Sequence, residues 1–197
     1  MKTAQLASLY EQAKLDTSKP IASPMRKAKR EVLLRDQEVA QALETFRAES
    51  TAIEGAADAL AHPKKKKDAT PQAMSQAAET YATAAQVVVK KSAGLSQRVA
   101  RENPDPEAKA TAAREMVVDY KRGAGLYRRS ADTEDRRADG LTTQGKLAEA
   151  QAAHDKAQFS RVYATKIETQ ASESETKSVP GADELTMTSG ETKVSSN

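Results

Sequence analysis

The chain has 197 residues, of which 38% are hydrophobic, 30% charged and only 4% aromatic, and its formal net charge is +3. Few aromatic residues and abundant alanine favour narrow contacts between helices over a thick globular core. Because there is no cysteine, disulfides, thiolate metal sites and a cysteine nucleophile are excluded. The modest net charge also argues against a protein whose only task is to bind nucleic acid.

The first 22 residues predict a short helix followed by a linker. Leu6, Leu9, Tyr10 and Ala13 fall on one face of a helix over residues 3–15. This stretch lacks the apolar core of a signal peptide, and no apolar run in the chain approaches the length of a transmembrane segment. A cytoplasmic location is therefore the default expectation, although packaging into a virion or leaderless export fits the same features.

Three long helical segments follow, each with a capping residue and a proline at its start: Ser23-Pro24, Thr70-Pro71 and Asp105-Pro106. Within each segment one face follows the alternating spacing of four and three that is typical of coiled coils. The first such seam comprises Met25, Lys29, Val32, Asp36, Val39, Leu43, Phe46, Ser50, Ile53, Ala57 and Leu60. The second comprises Met74, Ala78, Tyr81, Ala85, Val88, Ser92, Leu95 and Val99. The third comprises Ala110, Ala113, Val117, Tyr120, Ala124, Tyr127, Ala131, Glu134, Ala138 and Leu141, with Gly140 marking its expected end.

Residues 146–169 predict a fourth long helix with a less regular pattern. One stripe comprises Leu147, Ala150, Ala153, Ala157, Ala164 and Ile167. Phe159, Val162 and Tyr163 lie partly off this stripe, so the helix is expected to have more than one neighbour. The periodicity is lost from residue 171 onward, and residues 171–197 are predicted to be a disordered polar tail.

These segments predict an all-α protein: an elongated antiparallel helical bundle with coiled-coil-like heptad seams. It would contain about four long helices within residues 23–170, in addition to the short N-terminal helix. Short loops favour antiparallel neighbours. Two arrangements remain open: one up-down-up-down bundle, or hairpins that complete their core with another chain. Alanine-rich seams bury little apolar area, which favours a partner or self-association.

The sequence contains one near match to a nucleotide-binding motif. Residues 140–146 spell G-x-x-x-x-G-K, but Leu147 stands where a P-loop needs Ser or Thr, and a helix precedes the motif instead of a strand. We interpret the segment as a glycine-containing turn at residues 141–145. The two histidines, His62 and His154, form no metal-binding or triad pattern. The sequence therefore predicts no catalytic residue, cofactor or metal, and a protein that is not an enzyme.

Residues 145–157 resemble the second helix of a tetratricopeptide repeat. The glycine, the alanine pair seven residues apart and the closing Lys-Ala carry the resemblance. It covers one half-repeat, and nothing else recurs at the period of about 34 residues that the family requires. The family is therefore not assigned.

Basic clusters are the best candidates for partner-binding residues. One cluster follows Pro63 in the first loop and consists of Lys64, Lys65, Lys66 and Lys67. It looks like a nuclear-import peptide and would also suit phosphate or acidic surfaces, whereas a solubilising loop is the simpler interpretation. A second cluster flanks the third seam and consists of Arg128, Arg129, Arg136 and Arg137. Neighbouring acids such as Glu134 and Asp135 offer pairing within the helix as the alternative.

The functional prediction is a non-catalytic helical interaction or structural protein, such as an adaptor, a scaffold, or a component of a particle or secretion machine. It would bind a protein partner or itself through its helical seams, and the basic residues would orient the partner. The alternatives are an electrostatic binder of nucleic acid or anionic surfaces, and a leaderless exported effector.

Overall fold

The structure is a computed structural model that describes residues 24–65 and 69–177, with side chains over 35–65 and 69–176. Its four helices are α1 (Pro24–Ala61), α2 (Pro71–Glu102), α3 (Pro106–Thr143) and α4 (Leu147–Lys177). No strand occurs within these ranges, and the predicted all-α class is confirmed. The predicted short helix over residues 3–15 and the tail beyond residue 177 lie outside the described residues. None of the described helices combines the length and apolar character needed to cross a membrane.

Capping contacts confirm two of the three predicted helix starts, whereas Ser23, the predicted cap of α1, lies outside the described residues. The Thr70 side chain accepts a hydrogen bond from the Ala73 amide at 3.1 Å. The Asp105 carboxylate does the same for the Glu107 amide at 3.0 Å. In each case a proline occupies the first helical position, where its missing N–H would have no helical partner in any event.

The C-terminal helix boundaries differ from the sequence prediction. α3 continues through Gly140 to Thr143, and the chain reverses at Gly145, whose φ of 74° suits glycine. The interpretation of this segment as a turn between helices is confirmed, although the turn is shorter than predicted. α4 continues past residue 169 to Lys177, because Ala171 extends the buried stripe and is only 1% exposed. Leu147, predicted to lie in that stripe, is instead 68% exposed at the helix start.

The chain forms two compact units, Met1–Gln41 and Ala42–Asn197. The described part of the first is the N-terminal part of α1, and the packing of the four helices belongs to the second. There, Ser50 of α1 donates to the Ala84 carbonyl of α2, and Ser130 of α3 donates to the Ala78 carbonyl. Arg128 of α3 pairs with Glu168 of α4 at 2.8 Å. Together with contacts further along each helix, these define an up-down-up-down bundle.

One apolar cluster draws residues from all four helices, so the chain builds a single core rather than two unfinished hairpins. Its largest members are Phe46, Tyr81, Val88, Leu126, Tyr127 and Ile167. A smaller cluster at the α3–α4 turn contains Ala138, Leu141, Ala150 and Ala153. From Leu43 onward in α1 and throughout α2 and α3, the predicted seam residues are buried or partly buried.

α2 and α3 lie very close together at Gly123. A Cβ atom placed on Gly123 would lie 2.4 Å from Cγ2 of Val89 and 3.6 Å from the Ala85 carbonyl oxygen. Valine has little rotamer freedom in a helix, so it cannot easily turn away. Gly123 is therefore required for the distance between α2 and α3, whereas Gly125 two residues later is exposed with nothing within 4 Å of such an atom.

This contrast predicts opposite effects for two matched substitutions. Gly125→Ala should stabilise the protein by about 1 kcal/mol, because alanine is the better helix former. Gly123→Ala gains the same propensity but overpacks the contact with Val89, at a cost of about 1–3 kcal/mol. Urea unfolding should therefore rank Gly125→Ala above the wild type and Gly123→Ala below it. Equal stabilisation by both substitutions would contradict the close helix approach.

Candidate interaction site

A buried carboxylate on α3 joins three helices. Asp119 is 1% exposed and accepts hydrogen bonds from Arg47 Nε of α1 at 2.7 Å and from Ser92 Oγ of α2 at 2.8 Å. Arg47 also reaches Glu115 at 2.8 Å. Burial lowers the pKa of Arg47, but the hydrogen bonds to Asp119 and Glu115 outweigh it and the pKa is raised. The arginine is therefore held in place as a structural cation.

A second polar cluster surrounds Arg129, one of the predicted partner-binding residues. Its guanidinium pairs with Asp58 and, at 2.6 Å, with Glu54, both on α1. The Tyr81 hydroxyl of α2 donates to Asp58 and accepts from Arg129 at 3.0 Å. The guanidinium carbon also lies 4.5 Å from the centre of the Tyr81 ring. Arg129 therefore connects α1, α2 and α3.

The other predicted arginines are held to different degrees. Arg128 pairs with Glu168 of α4 on the surface, and Arg137 pairs with Glu134 at 2.9 Å. Glu134 is 2% exposed, and Nε of Arg137 is buried with no hydrogen-bond partner in the described part of the chain. Arg136 is exposed and donates to Thr133 Oγ1 at 3.2 Å. The structure thus uses Arg128, Arg129 and Arg137 in ion pairs.

The predicted lysines lie in the loop after α1. Lys64 and Lys65 are exposed there, and Lys66 and Lys67 lie outside the described residues. α1 and α3 run parallel, since Arg47 of α1 pairs with Asp119 and, further along both helices, Asp58 pairs with Arg129. The loop begins at the C-terminal end of α1, which is the same end of the bundle as the α3–α4 turn. The assignment of these lysines to partner binding stays a prediction.

A third polar cluster lies between α3 and α4. Asp135 accepts hydrogen bonds from His154 Nδ1 at 3.0 Å and from Arg161, which also lies 3.6 Å from Asp132. Burial raises the pKa of Asp135, but the hydrogen bonds from Arg161 and His154 outweigh it and hold the pKa below its usual range. His154, considered from the sequence as a surface histidine, therefore helps to join α4 to α3.

An open groove of about 370 Å³ lies between α1 and α2. Its lining residues are Ala42, Thr45, Phe46, Lys91, Gly94, Leu95 and Arg98. Lys91 is paired with Glu49, and Arg98 lies 4.0 Å from Glu102. The lining contains neither a carboxylate nor a histidine for general acid–base chemistry.

The outer face of α4 carries an exposed apolar cluster, here called the aromatic face: Phe159, Val162 and Tyr163. These side chains are 64%, 57% and 40% exposed. The Phe159 and Tyr163 rings lie 4.8 Å apart, and Tyr163 stacks on Tyr127 of α3 at 5.7 Å. Three large apolar residues within two turns form a contiguous patch, in contrast to the scattered exposed residues that are normal on protein surfaces.

Sequence reasoning placed these residues off the main stripe of α4 but did not include them among the candidate site residues. Their position did predict a second neighbour for the helix. In the structure the alanine stripe faces α3 and the aromatic face is exposed to solvent. The signal that could have identified the site is the size of the side chains, because Phe159 and Tyr163, the two aromatic residues of α4, lie off its alanine stripe.

No protein-family model matches the chain, and neither a curated protein nor a solved structure matches it. Over the described residues, no group of three or more His, Asp or Glu side chains is arranged to hold a metal ion. Function is therefore inferred from side-chain chemistry and exposure alone.

The Asp119 cluster predicts that replacing Arg47 destabilises the protein much more than replacing Lys91. Arg47→Met would leave Asp119 buried with Ser92 as its remaining partner, at a cost of about 1.5–3 kcal/mol. Lys91→Met breaks the ion pair with Glu49. Because the side chains of Lys91 and Glu49 are 49% and 43% exposed, this substitution should cost about 0–1 kcal/mol. Urea unfolding of both variants measures the difference. Similar losses would show that Asp119 does not depend on Arg47.

Tyr81 predicts a stability change at alkaline pH. Burial and the hydrogen bond to Asp58 raise its pKa from 10.0 to about 12, although Arg129 opposes the shift. A raised folded-state pKa gives stability that is present below pH 10 and lost as the pH rises towards 12. The difference in unfolding free energy between wild type and Tyr81→Phe should therefore shrink over this range. Absorbance titration should show an ionisation at about pH 12 that is absent from Tyr81→Phe. Its persistence in that variant would contradict the assignment.

Proposed function

We propose that the protein is a non-catalytic helical interaction protein that binds another helix through the outer face of α4 and so acts in assembly. The observation that carries this proposal is the exposure of Phe159, Val162 and Tyr163 together on one helix. Removing apolar surface from water contributes about 25 cal/mol per Å². Large exposed aromatic groups on a rigid element are the usual anchors of protein interfaces.

The aromatic face is also preorganised, which lowers the cost of binding. Phe159 and Tyr163 contact each other, and Tyr163 is supported from below by Tyr127. Side chains that are already ordered lose less conformational entropy when a partner arrives. The α4 backbone beneath them is joined to α3 by Arg128–Glu168 and by Arg161–Asp135. A helical partner would therefore meet a surface that needs little rearrangement.

The distribution of charge supports this proposal over an electrostatic binder of nucleic acid or anionic surfaces. Arg128, Arg129 and Arg137 all form ion pairs with acids of the bundle. Such pairs neutralise much of the basic flank that the sequence suggested for α3. The exposed lysines of the first loop suit steering of a partner, which affects encounter more than affinity.

The proposal is tested by measuring the apparent mass of the protein in a native extract of the cells that produce it. Full-length wild type should migrate well above its monomer mass of 21.2 kDa. Phe159→Ser combined with Val162→Ser should return it to the monomer position. Because both side chains are exposed, unfolding free energy should change by only about 0.5 kcal/mol.

Leu147→Ser is the matched control for this experiment. Leu147 is an exposed apolar residue on the same helix but away from the aromatic face, so its replacement should leave the assembly unchanged. A double variant that still migrates with the wild type, or a control that dissociates equally, would contradict the role of the aromatic face.

A further inference from the structure

The outer face of α4 carries a pattern that is complementary to itself. Asp155, Phe159, Val162 and Lys166 are all exposed, and they follow one another at spacings of four, three and four residues. This is the heptad spacing that keeps side chains on one seam of a two-helix contact. Two apolar residues occupy the middle, and opposite charges occupy the ends.

The two end charges are available for a partner. The Asp155 carboxylate accepts a hydrogen bond from the Gln151 amide and forms no ion pair in the described part of the chain. Lys166 likewise forms no ion pair or hydrogen bond there, whereas Lys156 on the same helix pairs with Glu79. The bundle therefore leaves unpaired the one acid and the one base that bracket Phe159 and Val162.

We propose that the partner helix is α4 of a second copy of this chain, packed antiparallel across a twofold axis between residues 160 and 161. Phe159 of each copy then packs against Val162 of the other, and Asp155 of each copy faces Lys166 of the other. This identification of the partner rests on the proposed function. A twofold contact of this kind uses the same patch on both copies, as isologous dimers do.

Charge selects the antiparallel orientation. In a parallel, in-register pair Asp155 would meet Asp155 and Lys166 would meet Lys166, and like charges at an interface are strongly disfavoured. The next positions outward also fit close contact, because Ala152 is small and exposed and lies opposite Thr169 of the other copy. Small side chains let helix backbones approach while Phe159 and Val162 fill the centre.

The first test uses charge reversal in the purified full chain, measured by sedimentation equilibrium. Asp155→Lys alone sets two like charges against each other at both ends of the contact and should weaken the dimer about tenfold or more. Lys166→Asp alone should do the same. The double variant D155K/K166D restores both pairs with reversed polarity and should regain most of the wild-type affinity. A merely structural effect of either substitution would not be rescued in this way.

The second test determines the register of the two helices by disulfide formation. The chain has no cysteine, so the introduced cysteines are the only ones that can react. A mixture of Ala152→Cys and Thr169→Cys proteins should form the mixed 152–169 disulfide. Ala152→Cys alone should form little, because its two copies would lie about 25 Å apart along the helices. Efficient 152–152 disulfides would instead show a parallel pair and overturn the proposal.

The outcomes separate this inference from the proposed function. A purified chain that stays monomeric at its highest soluble concentration, while the assembly in extracts still depends on Phe159, shows a different protein partner and overturns the dimer alone. A dimer that survives both single charge reversals also overturns it. Loss of the assembly's dependence on Phe159 and Val162 overturns the proposed function itself.

Discussion

The close approach of α2 and α3 is the constraint on which the rest of the bundle depends. Gly123 leaves no room for a Cβ atom against Val89, and alanines such as Ala84, Ala85 and Ala124 are fully buried at the surrounding positions. Small side chains contribute little apolar area each, so they stabilise the fold only when the helices lie near one another. Serine hydroxyls can then reach across to a neighbouring backbone, as Ser130 does to the Ala78 carbonyl at 2.8 Å.

The same close packing of the helices buries polar side chains of α3. α3 contacts all three other helices, and Asp119, Thr133 and Glu134 are almost completely buried on it. A buried carboxylate is stable only with good partners, and Asp119 has them from two different helices. We infer that these pairs set the axial positions of the helices, a task that uniform alanine seams perform poorly. The arginines that looked like a binding surface are partly committed to this task.

α4 differs from the other helices in the placement of its largest side chains. Its inner face is built mainly from Ala150, Ala153, Ala157 and Ala164, whereas Phe159, Val162 and Tyr163 lie outside. A helix that served only the core would place its large apolar groups inward, where burial stabilises most. This arrangement is the basis of our proposal that α4 completes the bundle with one face and binds a partner with the other.

The sequence by itself determined the helix starts, the helical class and the seam faces, because caps, prolines and heptad spacing are local properties of the chain. It also showed that Phe159, Val162 and Tyr163 lie off the main stripe. It could not show that these residues face solvent, that Asp119 is buried, or that Arg129 lies against Tyr81 and Asp58. Each of those facts depends on which helix lies beside which and at what height. The helix end at Lys177 was missed for the same reason, since Ala171 is recognisable as a core residue only when α3 is in place beside it. Tertiary packing therefore decided which charges are structural and which apolar face is left exposed to solvent.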